Sequence, residues 1–497
     1  MGAFSPALRR WAYGALLAGY AALLFHHTSF SVGGSDSSGY LNAARLFSSG
    51  RVAEPIRGLM RLRLPDDYGQ VFVPLGYTPI ERPGLMAPSY PPGLALHMAV
   101  AARLAGWSRA PFLVPPLTAV ACLVLFWLLA RELRLPRSFA LAGCALLAFF
   151  PTFVFQALQP MSDVPATAWA LAAVFAAYRA RARGGLGWAA LAGAAYGVGV
   201  LVRPTNALLL LPLLFALPAR PKAWLSFVAG GLPAAAFLGA YDTALFGRPW
   251  KTGYRTTLAE GMEWGHFPER ARHYVYWLAR LLTPLVPMGW LAVAADRRAP
   301  LRDRAVLVSW FGAFFLFYCF YAPYEAWWYT RFLLPGLPAL ILGALVVARD
   351  ALPAKGDARI PRAAAVAGAA LVVAALVVEV SFVEKNAVHR FYKSERVYPR
   401  ASEMARRRVP ENGIVASMQM SGALHYYTPL TYAMQNWLLP ERFGALRSET
   451  ESRGYRWYAL LSPFETEEVR KNLPGDWREI DRAGDVVLWE LPPSSPP

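Results

Sequence analysis

Long apolar runs with few charges recur along this chain, and they decide what it can fold into. From Trp11 onward, stretches of about 18–22 residues are long enough, as helices, to cross a hydrocarbon core roughly 30 Å thick. Of the 497 residues 56% are hydrophobic and only 16% charged, at a mean hydropathy of +0.30. A water-soluble domain is nearer to about 25% charged. The expected architecture is a polytopic α-helical membrane protein. Its spans, about eleven in all, run over 11–30, 111–130, 138–155, 164–179, 187–202, 205–219, 223–246, 273–294, 305–323, 328–348 and 363–383.

The net charge of +18 suggests a nucleic-acid partner only until its distribution is read. The basic residues cluster in short loops at 131–137, 178–185, 296–304 and 349–362, where the positive-inside rule expects cytoplasmic charge. That excludes nucleic acid as the reason for the charge. It also orients the chain: N-terminus cytoplasmic on an uncleaved first span, C-terminus outside. Residues 31–110 then form a long first outer loop, in which 93–107 reads as an interfacial or re-entrant helix. Residues 1–385 are expected to be the transmembrane domain.

After Glu384 the pattern changes. GIVASM, TYAMQNW, YRWYALL and DVVLWEL read as strands, and PERFGALRSETESRG and FETEEVRKNL as helices. A small extracytoplasmic α/β domain over 386–497 is expected, ending in a disordered LPPSSPP tail. No internal repeat of the kind transporters carry is visible. Cys122, Cys144 and Cys319 all lie in apolar runs, without metal-ligand spacing or a disulfide framework. The histidines, including His26, His27, His97, His273 and His425, show no pairing on one helix face.

Few polar residues remain as candidates for chemistry. Asp36, in SDSSGY, follows the first span. It reads either as part of a helix cap or as a general base for an acceptor hydroxyl. Asp163 precedes a span with Pro165 in its first turn, which is how a helix start looks. Arg203 in LVRPTN and Arg331 in WWYTRFLLPGLP fall at outer ends of spans, where the charge bias disfavours Arg. They either snorkel or present their fork of donors to a phosphate. Lys251, in FGRPWKTGY, reads as surface charge or a further phosphate contact. The aromatic run YAPYEAWWY at 321–329 fits an interfacial belt, with Trp327 or Trp328 able to stack on a sugar.

These stretches, in order, carry a family likeness: SDSSGYL, SYPPGLAL at 89–96, MSDVPA, GAAYGVGVLVRPTN at 193–206, LFGRPWKTGY and RFLLPGLPAL. The chain resembles the GT-C superfamily of polyprenyl-phosphate-sugar-dependent glycosyltransferases over residues from about 10 to 385. Its nearest look is to bacterial relatives of protein O-mannosyltransferases and of the lipid A aminoarabinose transferase. The resemblance implies an inverting glycosyltransferase in the bacterial cytoplasmic membrane. The donor would be a polyprenyl-phosphate sugar and the acceptor a hydroxyl on an envelope glycan, lipid or protein. Asp36 maps onto the family's first, catalytic acid and Asp163 onto the second outer acid. Some relatives have Lys just before the Pro of the YPPG-like segment, where this chain has Ser89-Tyr90-Pro91-Pro92. Phosphate or sugar contacts then fall to Arg331, Arg203, Arg82, Lys251 and Tyr90. No metal is required, although a Mg or Mn ion between Asp36 and Asp163 is compatible with oxygen ligands. A lipid-linked-sugar flippase or transporter is the rival class, but transport sites sit near the midplane, whereas these polar residues gather at one face. A non-catalytic assembly protein would tolerate neutralising all of them.

Overall fold

The computed structural model describes residues 6–254, 261–322, 324–352 and 362–494. Most of the basic loop 349–362 and the end of the Pro-rich tail lie outside the described residues. By packing, the chain divides into two compact units. The first comprises Met1–Thr28, Leu113–Phe237 and Thr256–Phe391; the second comprises Ser29–Phe112, Leu238–Arg255 and Tyr392–Pro497.

The first unit is helical. Its core is built from bulky apolar side chains such as Phe126, Phe150, Phe153, Trp310 and Phe314. Three helices among the described residues are by themselves long and apolar enough to cross a membrane: Ala110–Glu132, Pro221–Phe246 and Val366–Lys385. Two further helix pairs pass the same test together but are bent, as a broken span or a re-entrant loop is: Arg137–Phe149 with Pro151–Ala157 at 62° and Trp327–Leu333 with Leu337–Asp350 at 82°. Length and composition therefore support up to five spans, against the eleven expected. Part of the difference lies in composition, since the unbroken helices Pro6–His27, Asp163–Arg183 and Leu301–Cys319 are long enough but not apolar enough, and part lies in breaks at proline. Proline removes a backbone donor and clashes with the preceding turn, and membrane helices tolerate this where neighbours satisfy the freed groups. Pro151 sits at one bend and Pro335 in the other, and Pro284 follows the break at Thr283 that splits the expected span 273–294. The expected span 205–219 is likewise a 3-10 turn, Pro204–Leu209, followed by the short helix Leu210–Ala216.

Small residues set one helix contact. A Cβ on Gly193 would stand 1.8 Å from the Phe227 carbonyl oxygen, and one on Gly230 would stand 1.9 Å from that of Ala190. The helices Leu186–Val202 and Pro221–Phe246 thus meet backbone to backbone, as small-residue interfaces do in lipid.

The second unit joins stretches far apart in sequence. Residues 29–112 supply the helix Ser35–Ser48, an antiparallel sheet and the helix Pro92–Ala105. The sheet orders its strands Glu54–Pro55, Leu85–Pro88 and Tyr77–Pro79. At 14 residues, Pro92–Ala105 is too short to span a membrane. Residues from Tyr392 on form a mixed five-stranded sheet, ordered Thr431–Ala433, Gly413–Ala416, Arg456–Leu461, Val486–Leu491 and Arg478–Ala483. The first two pairings are parallel and the last two antiparallel. One core contains Ile56, Phe72 and Met86 together with Phe443, Trp457 and Leu491, so the first loop and the C-terminal stretch share it. Four of these strands follow the apolar pattern of the sequence. The fifth, REIDRA, is a charged edge strand, and charge there guards against pairing with another chain.

Candidate active site

Each candidate is placed by local rules first. Helix Ser35–Ser48 begins after Gly34, whose φ of 49° is left-handed and which occupies the cap without a side-chain bond. Asp36 is therefore in the first turn but is not the cap. The partial positive charge of the helix start favours a carboxylate there. The Tyr90 hydroxyl donates to Asp36 Oδ1 at 2.7 Å and lies 2.8 Å from Ser35 Oγ. Burial, then the adjacent Asp36 charge, hold the Tyr90 phenol well above its usual range, so it is a donor throughout. Its ring is seated on Gly39, where a Cβ would come within 2.4 Å of it. Tyr90 thus belongs with Asp36 as its hydrogen-bond partner, a role the sequence did not indicate.

Arg82 and Lys251 stand apart from this pair. Arg82 is exposed in the turn between strands Tyr77–Pro79 and Leu85–Pro88. Lys251 pairs with Glu81 at 3.0 Å, and both side chains are more than half exposed. A pair so exposed is worth little.

In the first unit the structure brings three candidates together. The helix Leu186–Val202 ends where Arg203 adopts an extended backbone, as a residue before proline must. Its guanidinium donates to Asp163 Oδ1, and the Asp163 side chain is 1% exposed. Asp163 is the first residue of helix Asp163–Arg183, after Ser162 at the cap, so it too is outside the cap position. Arg203 also reaches the Tyr318 hydroxyl, which donates onward to Thr205 at 2.9 Å. The guanidinium of Arg331, in the 3-10 turn Trp327–Leu333, lies 5.4 Å from the Phe332 ring centre, and that of Arg203 lies 5.6 Å from the same ring. Tyr318 stacks on Phe332 and Tyr324 on Tyr329, at 4.9 and 4.3 Å between centroids. The aromatic run is thus more than an interfacial belt, since it walls a pair of arginines.

One arginine escaped the sequence. Arg270, 1% exposed, donates to the carbonyls of Tyr321, Ala322 and Tyr324 and so fixes the segment that leads into this wall. Its signal was present: positions 270, 274, 278 and 281 form the buried stripe of helix Phe267–Leu282, and an Arg on an apolar stripe needs acceptors. Among the described residues, no group of three His, Cys, Asp or Glu is arranged to hold a metal ion.

With this geometry in view, the fold is that of the GT-C glycosyltransferases, as the order of motifs implied. The structure of ArnT from Cupriavidus metallidurans bound to undecaprenyl phosphate aligns with a TM-score of 0.59 at 15% identity, covering 96% of this chain and 98% of that one. Its apo form aligns at 0.58 and 14%, covering 97% and 98%. The arabinofuranosyltransferase AftD from Mycobacteria aligns at 0.56 and 14%, covering 99% of this chain but 40% of that chain. At such identities the likeness is one of fold. In sequence, residues 89–241 match the model of the dolichyl-phosphate-mannose-protein mannosyltransferase family. No curated protein sequence matches the chain.

Proposed function

We propose that the chain is a membrane glycosyltransferase. It moves one sugar from a polyprenyl-phosphate donor to a hydroxyl on an envelope glycan, lipid or protein at the outer face of the bacterial cytoplasmic membrane. The observation that carries this reading is Asp36: a half-buried carboxylate in a first helical turn, outside the cap, held by the Tyr90 hydroxyl. A carboxylate held in that way orients an acceptor hydroxyl and takes its proton as the oxygen attacks the anomeric carbon. The bond from that carbon to the phosphate oxygen breaks as the new one forms. Configuration inverts, and polyprenyl phosphate leaves with the electron pair.

A lipid phosphate is the class of ligand we assign to Arg331 and Arg203 of the first unit, because planar guanidinium donors match phosphate oxygens and offset their charge. Asp163 is assigned to holding Arg203 rather than to proton transfer, because their ion pair already occupies its charge. The ArnT structure bound to undecaprenyl phosphate supports a donor of this class. The basic loops support an N-terminus in the cytoplasm and residues 386–497 outside.

The test is a mass-spectrometric profile of envelope glycans and lipids. It compares a strain lacking the chain, the same strain with the wild type restored, and one with Asp36→Asn at equal membrane abundance. The variant is expected to match the deletion, both lacking one sugar on a defined product. A wild-type profile from Asp36→Asn would remove Asp36 from the chemistry.

A further inference from the structure

The turn that launches the Asp36 helix is held by side chains that come from the far end of the chain. The Val32 N–H donates to the Tyr427 hydroxyl at 2.8 Å. At Gly33 a Cβ would stand 2.4 Å from the Tyr398 ring and 2.5 Å from Glu395 Oε2, so the backbone lies directly on both groups. The Tyr398 hydroxyl faces Gly34 and accepts from Gln419 Nε2 at 2.7 Å. Inside the turn, Ser37 Oγ accepts from Gly33 N–H and Ser38 N–H donates to the Gly33 carbonyl, each at 3.1 Å. One helical turn further on, Asn42 Nδ2 donates to the Gly422 carbonyl at 3.0 Å and Arg45 to that of Tyr426 at 2.7 Å.

These contacts do more than bury surface. Hydrogen bonds to Val32 and packing on Gly33 fix the backbone two to four residues before Asp36, where a shift of a few tenths of an ångström swings the carboxylate. Burial lifts the Glu395 carboxyl to about 7. The titratable groups facing it are the phenols of Tyr398 and Tyr427, both neutral, so the turn rests on an uncharged surface when Glu395 is protonated.

We infer that Glu395, Tyr398 and Tyr427 are positioning residues for the glycosyl transfer: they form a seat that aims Asp36 at the acceptor. This inference rests on Asp36 being the base, as proposed above, and it gives the segment 395–427 a part in turnover without contact with substrate.

The experiment uses full-length protein in proteoliposomes. The donor is a lipid extract, and the acceptor an envelope fraction, from the strain lacking the chain. Sugar transfer is followed as the extract is varied, to separate kcat from KM. The variants are Tyr398→Phe, Tyr427→Phe, Gly33→Ala, Glu395→Ala and Glu395→Gln, compared at matched abundance and thermal stability, with Asp36→Asn alongside. Each Tyr→Phe change and Gly33→Ala is expected to lower kcat about tenfold with KM unchanged, one lost hydrogen bond or one displaced turn being of that size. Glu395→Ala should behave likewise and Glu395→Gln, which keeps the shape of the neutral acid, should restore the rate. If Asp36→Asn is inactive while all five seat variants keep wild-type kcat, or raise KM alone, the seat is wrong and the base reading stands. If Asp36→Asn is active, both fall together.

Discussion

A single hydroxyl ties Tyr90 to Asp36, and its removal is the most discriminating change at the scale of a residue. Tyr90→Phe keeps the ring on Gly39 and deletes the bond to Oδ1. The expected outcome is a fall in kcat of about tenfold, corresponding to roughly 1–1.5 kcal/mol, with little change in KM for the donor lipid. A rise in KM alone would return Tyr90 to direct donor binding. Glu395 gives a second prediction. Its folded carboxyl titrates at about 7 rather than 4.5. The unfolded chain therefore releases this proton first, and the contribution to stability is greatest below pH 4.5, declines as pH rises to about 7, and is level above that. Thermal unfolding in detergent micelles at pH 5 and pH 8 should differ less for Glu395→Gln than for the wild type, by on the order of 2 kcal/mol. Asp36, Asp163, Arg203 and Arg331 were legible because polar residues at the ends of apolar runs are costly and stand out. Their partners were not. Arg203 and Asp163 are 40 residues apart, and no local pattern reports a contact made by packing between helices.

At the scale of elements, the apolar runs announced helices but not their breaks. A run such as 328–348 is apolar enough to span, yet its two parts meet at 82°, because Pro335 cannot continue a turn whose carbonyl it would clash with. The four apolar strands of the C-terminal sheet were legible from their pattern. The fifth was not, because its alternating charges resemble a loop. The glycines of GAAYGVGVLV could be read as a motif without revealing what they touch. The structure shows why a side chain is excluded: Gly193→Ala would drive a methyl into the Phe227 carbonyl and separate two helices. A loss of several kcal/mol is expected, of the size seen when a tight core is overpacked. It would appear as reduced membrane abundance and earlier heat unfolding. Gly187→Ala, with open space around its Cβ position, is the control.

Over the whole molecule, the division that packing makes is not the division that sequence order suggests. The first loop shares its core and its polar contacts with residues beyond 392. The clearest polar link is buried. His425 Nε2 lies 3.1 Å from Glu54 Oε1, and its Nδ1 lies 2.9 Å from the Tyr432 hydroxyl. Burial lowers the His425 pKa despite that carboxylate, so the ring is neutral and donates to Glu54. Burial is the largest influence on the Glu54 carboxyl and would raise it, but hydrogen bonds from His425 and Tyr77 and the electrostatic pull of His425 and Arg51 together outweigh it and hold the group below its usual value. His425→Ala leaves Glu54 without this donor and is expected to cost about 2–4 kcal/mol. Hydrogen exchange would then quicken across 29–112, whereas a structure that treats the loop as independent would show the change near 425 alone.

The bond between Val32 and Tyr427 closes a loop of 395 residues. At a synthesis rate of about 5–20 residues per second, roughly 20–80 s separate the emergence of its two ends. Throughout that interval the bond to Tyr427 is not yet made. On the reading proposed above, a chain that ends before Tyr427 carries the Asp36 carboxylate without the seat that would aim it.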